Sequence, residues 1–166
     1  MAKRQIFYSF HFDNDVMRVQ QVRNIGVIEG NEPVSKNDWE EVKKKGEDSI
    51  KKWIDDNMKY KSCLVVLVGK DTASRPWVDY EIRKAWDDKK GVVGIYIHNL
   101  KCPIKVKAGE TGTCAQGANP FQNIGMKNGK KLSDYVQCFN PSSSDAYNDI
   151  SKNLNALVEA AIKARE

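Results

Sequence analysis

The sequence predicts an α/β domain with a central, mainly parallel sheet covered by helices on both faces. Two observations carry this. The runs Cys63-Leu64-Val65-Val66-Leu67-Val68 and Val92-Val93-Gly94-Ile95-Tyr96-Ile97 are short, apolar and β-branched, as strands buried on both faces are. Around them lie segments in which apolar residues recur every three or four positions, the period of an amphipathic helix. Strands that alternate with helices are joined by crossovers, and crossovers produce parallel sheets with helical layers on each side. The chain has 166 residues, which fits a single domain.

Taken in order, Gln5-Ile6-Phe7-Tyr8-Ser9-Phe10 reads as a buried first strand, aromatic and β-branched. Asp13 or Asn14 is placed to cap a helix carrying Val16, Val19, Val22 and Arg23. Ile25-Gly26-Val27-Ile28 is a candidate second strand, and Glu29 to Asn37 reads as a loop. Asp38 is expected as the N-cap of the next helix, with Glu41 completing a capping-box-like pair. Its apolar face is Trp39, Val42, Gly46, Ile50, Trp53 and Ile54.

After the strand from Ser62 to Val68, a polar loop runs from Lys70 to Arg75, and Pro76 suits the first turn of a helix. That helix carries Trp77, Val78, Ile82, Ala85 and Trp86 on one side and ends at Gly91. Residues 99–131 show little periodicity, and a loop this long inside a domain is usually functional. Tyr135 to Phe139 is the last candidate strand. A final helix, about 145–165, is capped near Ser144 or Asp145 and shows the face Ile150, Leu154, Leu157, Val158, Ala161 and Ile162. This order of elements is flavodoxin-like. Ligands then bind beyond the carboxyl ends of the strands, in the loops after Phe10, around Glu29 to Asp38, and after Val68.

Composition removes several function classes. The 27 basic and 22 acidic residues give a net charge of +5. The lysine runs Lys43-Lys44-Lys45 and Lys51-Lys52 are interleaved with acids, which fits a solvated helix face better than a nucleic-acid footprint. No apolar run approaches the roughly 18 residues of a membrane span. Met1 to Gln5 leads directly into a strand-like segment without a signal-peptide apolar region, so the expected address is the cytoplasm. Cys63, Cys102, Cys114 and Cys138 show no C-x-x-C spacing, and two histidines, His11 and His98, make no case for a metal site. The sequence contains no G-x-G-x-x-G, Walker loop or G-x-S-x-G motif.

The more specific constellation is Trp77-Val78-Asp79-Tyr80-Glu81-Ile82. Residues 77 and 81 project from one side of a helix near its N-terminal end. A carboxylate beside an indole suits a sugar that develops positive charge: the carboxylate stabilises an oxocarbenium-like transition state, and the indole offers a flat surface to a base or sugar. Spacing alone fits a second reading better, with Trp77 anchoring the helix and Glu81 pairing with Lys84.

Resemblance changes that balance. Phe7-Tyr8-Ser9-Phe10-His11-Phe12-Asp13 resembles the opening strand of TIR domains, and Trp77 to Ile82 is similar to the TIR helix that bears the glutamate essential for NAD cleavage. Asp38-Trp39-Glu40, with Gly117-Ala118-Asn119-Pro120-Phe121 and Ile124-Gly125, resembles the bacterial TIR-like family of the Thoeris anti-phage defence system. The resemblance covers about Lys3 to Gly125. It implies a TIR-like three-layer fold over a single domain, 1–166, with a family-specific loop at about 99–131.

The resemblance also implies an enzyme that breaks the nicotinamide–ribose bond of NAD. NAD is then the substrate, and no cofactor or metal is expected. The product is a cyclic ADP-ribose-type signal that activates a separate effector protein. Glu81 matches the catalytic glutamate and Trp77 the aromatic four residues before it. Ser9, Phe10 and His11 match the strand end that lines the NAD site, although His11 stands where TIR enzymes often carry a basic residue. Asp38 and Trp39 either border the same cleft or cap and anchor the second helix. Asn119-Pro120-Phe121 is expected to be structural. Such enzymes often complete their site by self-association; nucleic-acid and membrane partners are not expected. The alternative is a non-catalytic module of the same fold that binds partners or senses a nucleotide, because the fold alone licenses no chemistry.

Overall fold

The computed structural model describes residues 4–25, 29–30 and 41–166. Among these, five strands form one sheet: β1 (Gln5–Ser9), β2 (Glu29–Gly30), β3 (Cys63–Val68), β4 (Gly91–Tyr96) and β5 (Cys138–Phe139). Their order is β2-β1-β3-β4-β5, and every neighbouring pair is parallel. The helices are α1 (Phe12–Arg23), α2 (Glu47–Met58), α3 (Pro76–Asp87), the short α4 (Pro103–Lys107) and α5 (Ala146–Lys163). The α/β class and the parallel, flavodoxin-like sheet are as the alternation of strands and helices requires.

Alternation along the strands sorts side chains into two cores. On one face Ile6, Tyr8, Val65, Leu67, Val93 and Ile95 meet Val19 and Val22 of α1 and Ile150, Leu154 and Val158 of α5. On the other, Phe7, Leu64, Val66, Val68 and Val92 meet Ile50, Ile54 and Met58 of α2 and Val78, Ile82 and Ala85 of α3. β3 and β4 are buried along their whole length because helices cover both faces. No helix among the described residues is long and apolar enough to cross a membrane.

Several boundaries differ from expectation for local physical reasons. α1 starts at Phe12 with His11 as its N-cap, so Asp13 and Asn14 lie inside the first turn and not at the cap. His11 is extended, and its carbonyl accepts the Asp15 N–H at 3.0 Å, which sets the start of the helix. Glu29 and Gly30, expected to open a loop, pair with Gln5 and Ile6. Main-chain pairing to an open strand edge needs no apolar side chain. Of the expected strand Ile25 to Ile28, residue 25 lies in the turn after α1 and residues 26–28 lie outside the described residues.

The second expected helix is interrupted. Residues 41–44 are helical, and α2 begins afresh after Gly46, whose φ of 96° lies outside the helical region. Glycine tolerates that conformation, which lets the chain change direction at a position that spacing alone reads as part of a helix face. The last strand is also shorter than expected. Leu132–Asp134 forms a 3₁₀ turn capped by Tyr135, leaving only Cys138–Phe139 paired with β4. The long loop carries α4 and a 3₁₀ turn, Pro120–Asn123, whose Phe121 is fully buried in the α2–α3 core. Asn119 Oδ1 accepts the Phe121 N–H at 2.9 Å. All four cysteines are free thiols.

Candidate active site at the carboxyl edge of the sheet

β1 and β3 are neighbours in the sheet, and the chain winds outward from them in opposite directions. This switch point leaves a crevice beyond the strand ends, where open α/β sheets place ligands. Ser9 is the last residue of β1 and pairs in register with Val66 of β3. Like Phe7, it is an odd-numbered position of the strand, so alternation turns it toward the face covered by α3.

α3 begins at Pro76, where the missing N–H removes no helical hydrogen bond. Val78, Ile82 and Ala85 dock the helix on the sheet, and Glu81 is carried inward beside them. Ser9 Oγ donates to Glu81 Oε1 at 2.7 Å across 72 positions of sequence. Ser9 is 1% exposed and Glu81 8%. Burial disfavours the charged carboxylate and pushes Glu81 up to about 8, with the Ser9 hydroxyl pulling the other way. Lys84, a possible surface partner for Glu81 on spacing, pairs instead with Asp88 at 2.9 Å. A buried carboxyl with one hydroxyl donor, poised near neutrality, can act as a base or stabilise a cation once ionised.

The other candidate residues are placed as follows. Trp77 lies on α3 with Glu81, partly buried against the α2–α3 core, its ring edge-to-face with Tyr80 at 5.7 Å. Tyr80 in turn donates to Asp55 of α2 at 2.9 Å. Phe10 packs against the opposite core, on the α1–α5 side. His11 is partly buried at the start of α1. Asp38 and Trp39 lie outside the described residues. The structure therefore brings Ser9 to Glu81, keeps Trp77 on the same helix, and turns Phe10 to the other side of the sheet.

A second cluster at this edge escaped the sequence reading. Arg18 of α1 is 2% exposed and Asp15 is 1% exposed. The Arg18 guanidinium donates to Leu100 O at 2.8 Å, to Gly112 O at 2.7 Å and to Asp15 Oδ1 at 3.3 Å. Cys102 N–H also donates to Gly112 O, closing the neck of the excursion that carries α4. Arg18 thus grips both limbs of that neck, and Gln21 Nε2 adds a bond to Lys101 O at 2.8 Å. Burial pushes Asp15 up to about 6 against the opposing pull of Arg18. Among the described residues its Oδ2 accepts no hydrogen bond, and it rests against Gly69, at the end of β3. The only local signal was an acid and an arginine three apart on α1, a spacing that usually marks a solvated pair.

The family described as "Thoeris protein ThsB, TIR-like domain" matches residues 7–102, more than half of the chain. The chain belongs to this ThsB TIR-like family. The matched stretch contains Ser9 and Glu81, and also Asp15, Arg18 and Gly69. Most of the excursion, and all of α5, lie beyond it. The chain is also 34% identical, over 143 residues, to a Bacillus cereus (strain MSX-D12) protein named "Putative cyclic ADP-D-ribose synthase ThsB1". That similarity spans 81% of this chain and 71% of the relative. It extends the relationship to a ThsB protein well past the family-matched residues.

Proposed function

We propose that the protein is an NAD-cleaving enzyme of Thoeris anti-phage defence, releasing nicotinamide and forming a cyclic ADP-ribose-type signal that activates a separate effector. The observation that carries this reading is the buried Ser9–Glu81 pair at the switch point, inside the stretch that matches the family. The name of the Bacillus cereus relative supports the product class.

The chemistry needs one carboxylate. The bond between ribose C1′ and the nicotinamide nitrogen breaks, and its electron pair neutralises the pyridinium ring. Nicotinamide therefore leaves as a neutral molecule without a proton from a general acid. Ionised Glu81 stabilises the positive charge that develops at C1′. A hydroxyl of the same molecule attacks C1′ and gives the cyclic product, or water attacks and gives open ADP-ribose. The proton of the attacking hydroxyl passes to the Glu81 carboxylate and from there to solvent. A carboxyl poised near 8 suits that transfer. Trp77 offers its ring to the base or sugar, and His11, Asp38 and Trp39 belong to the substrate-contacting set. NAD is the substrate and no cofactor is needed. A second copy of the chain completes the site, and the cytoplasm is the place of action.

The test is incubation of concentrated protein with NAD, beside Glu81→Gln, with products resolved by chromatography and mass spectrometry. Nicotinamide release that Glu81→Gln lowers by at least about a hundredfold supports the reading. The product mass separates cyclic from open ADP-ribose. Absence of release from the parent protein, including in lysate of phage-infected cells, overturns the enzyme reading and leaves an interaction or nucleotide-sensing module.

A further inference from the structure

We propose that Ser9 is a positioning residue: its hydroxyl acts on the Glu81 carboxyl, holding its orientation and favouring its ionised form, and does not contact the nucleotide. The inference rests on the reading of Glu81 as the acting carboxylate, and it changes the role that resemblance implies for Ser9. Three features of the geometry carry it. The Ser9 hydroxyl is at 2.7 Å from Glu81 Oε1. Ser9 is buried at 1% exposure, between the end of β1 and α3, which leaves it almost no surface to offer a ligand. Ser9 is also fixed by the sheet itself, through its register with Val66, so its hydroxyl is presented from a rigid strand and not from a loop.

Several charged and titratable groups of the surrounding elements pair with one another. On α3, Arg83 pairs with Asp79 and Lys84 with Asp88, while Tyr80 donates to Asp55 of α2. His11 follows Ser9 at the head of α1, and Asp71 lies in the turn between β3 and α3. Burial raises the Glu81 carboxyl, and the Ser9 hydroxyl is what opposes it. A hydroxyl donating to a carboxylate stabilises the charged form more than the neutral one. Loss of that donor therefore leaves Glu81 neutral over a wider range of pH.

Two measurements test this, and one needs no NAD. The first is urea unfolding from pH 5 to 9 of the parent protein, Ser9→Ala, Glu81→Gln and the double variant. The destabilisation by Ser9→Ala is expected to grow as pH rises through 7 to 9 when Glu81 is present, and to be independent of pH in the Glu81→Gln background. Asp15 titrates in all four proteins and cancels in the comparison. A Ser9→Ala effect that is flat with pH when Glu81 is present overturns the proposal, whether or not the protein cleaves NAD.

The second is the pH profile of kcat/KM for NAD. Ser9→Ala is expected to move the acidic limb upward by about one pH unit or more, with activity regained at high pH and KM little changed. Ser9→Thr, which keeps the hydroxyl, is expected to return the limb toward its original position. A raised KM at every pH with an unmoved limb would place Ser9 on the nucleotide and overturn the proposal. If no variant releases nicotinamide, the enzyme reading fails, while the unfolding series still decides whether Ser9 sets the ionisation of Glu81.

Discussion

The Asp15 carboxylate rests directly against the backbone of Gly69, linking the first turns of α1 to the end of β3. A Cβ built on Gly69 falls in contact with all three atoms of that carboxylate, with Oδ1 at 2.6 Å. Glycine is therefore required there by a close approach. The approach in turn holds Asp15 where it can receive Arg18. Around this contact α1, the end of β3 and the excursion through Gly112 are tied into one unit at the edge where the candidate site lies.

Gly69→Ala is expected to destabilise the protein by about 1–3 kcal/mol, because the added methyl must displace a buried carboxylate that is held by Arg18. The Gly69 N–H donates to Thr72 Oγ1 at 2.8 Å, so displacement would also disturb the turn that leads into α3. Urea denaturation checks this. Unchanged stability would mean that Asp15 is free to swing away.

Arg18→Met is expected to cost about 3–5 kcal/mol, since it removes the cation that opposes the burial of Asp15 and strips a donor from two carbonyls. Its specific signature is local. Hydrogen exchange should rise across residues 100–112 more than in β3 or β4, because Arg18 holds Leu100 O and Gly112 O at the neck. Arg18→Lys keeps the charge but lacks the fork that reaches both carbonyls, so it should show the same local loosening. Exchange that rises evenly over the whole chain would deny Arg18 this role.

Stability should fall with rising pH because of two buried acids. Asp15 is raised from 3.8 to about 6, and Glu81 from 4.5 to about 8. Both folded values exceed the ordinary ones, so between them the folded state binds more protons than the unfolded state. The contribution is greatest below about pH 4 and is lost as pH rises through about 6 for Asp15 and about 8 for Glu81. Glu81→Gln should gain on the parent protein by about 2–5 kcal/mol between pH 4.5 and 8, and Asp15→Asn by about 2–3 kcal/mol between pH 4 and 6. Denaturation midpoints across that range give the slopes. Parallel curves for parent and variant would show that these carboxyls titrate normally.

The layers of the fold were legible because each strand and helix announces itself over a few residues. Cys63 to Val68 could only be a strand covered on both sides, and Leu154, Leu157 and Val158 could only face a core. Where a boundary was misread, the deciding feature was a backbone conformation or a pairing partner, as at Gly46 and at Glu29–Gly30. Glu81 and Ser9 were each visible as candidates, one from a helix with an indole four residues earlier, the other from the end of a strand. Their direct bond was not visible. Neither was the turning of Phe10 to the opposite core, although both follow from strand alternation once the helices are assigned to faces.

By itself, then, the sequence determined the α/β class, the parallel order of elements and the edge of the sheet at which chemistry could occur, since periodicity and turn residues act over short distances. The tertiary structure decided which of the polar residues at that edge are buried, and so which carboxyls are pushed toward neutrality. Nothing in the sequence around Asp15 and Arg18 marks them as buried; the chain around Leu100 and Gly112 closes over them only in the fold. Glu81 is a candidate from the sequence, but its burial and its raised proton affinity arise only when α3 docks against β1. Burial depends on segments tens of residues away, and a carboxyl's proton affinity follows the burial rather than the neighbouring sequence.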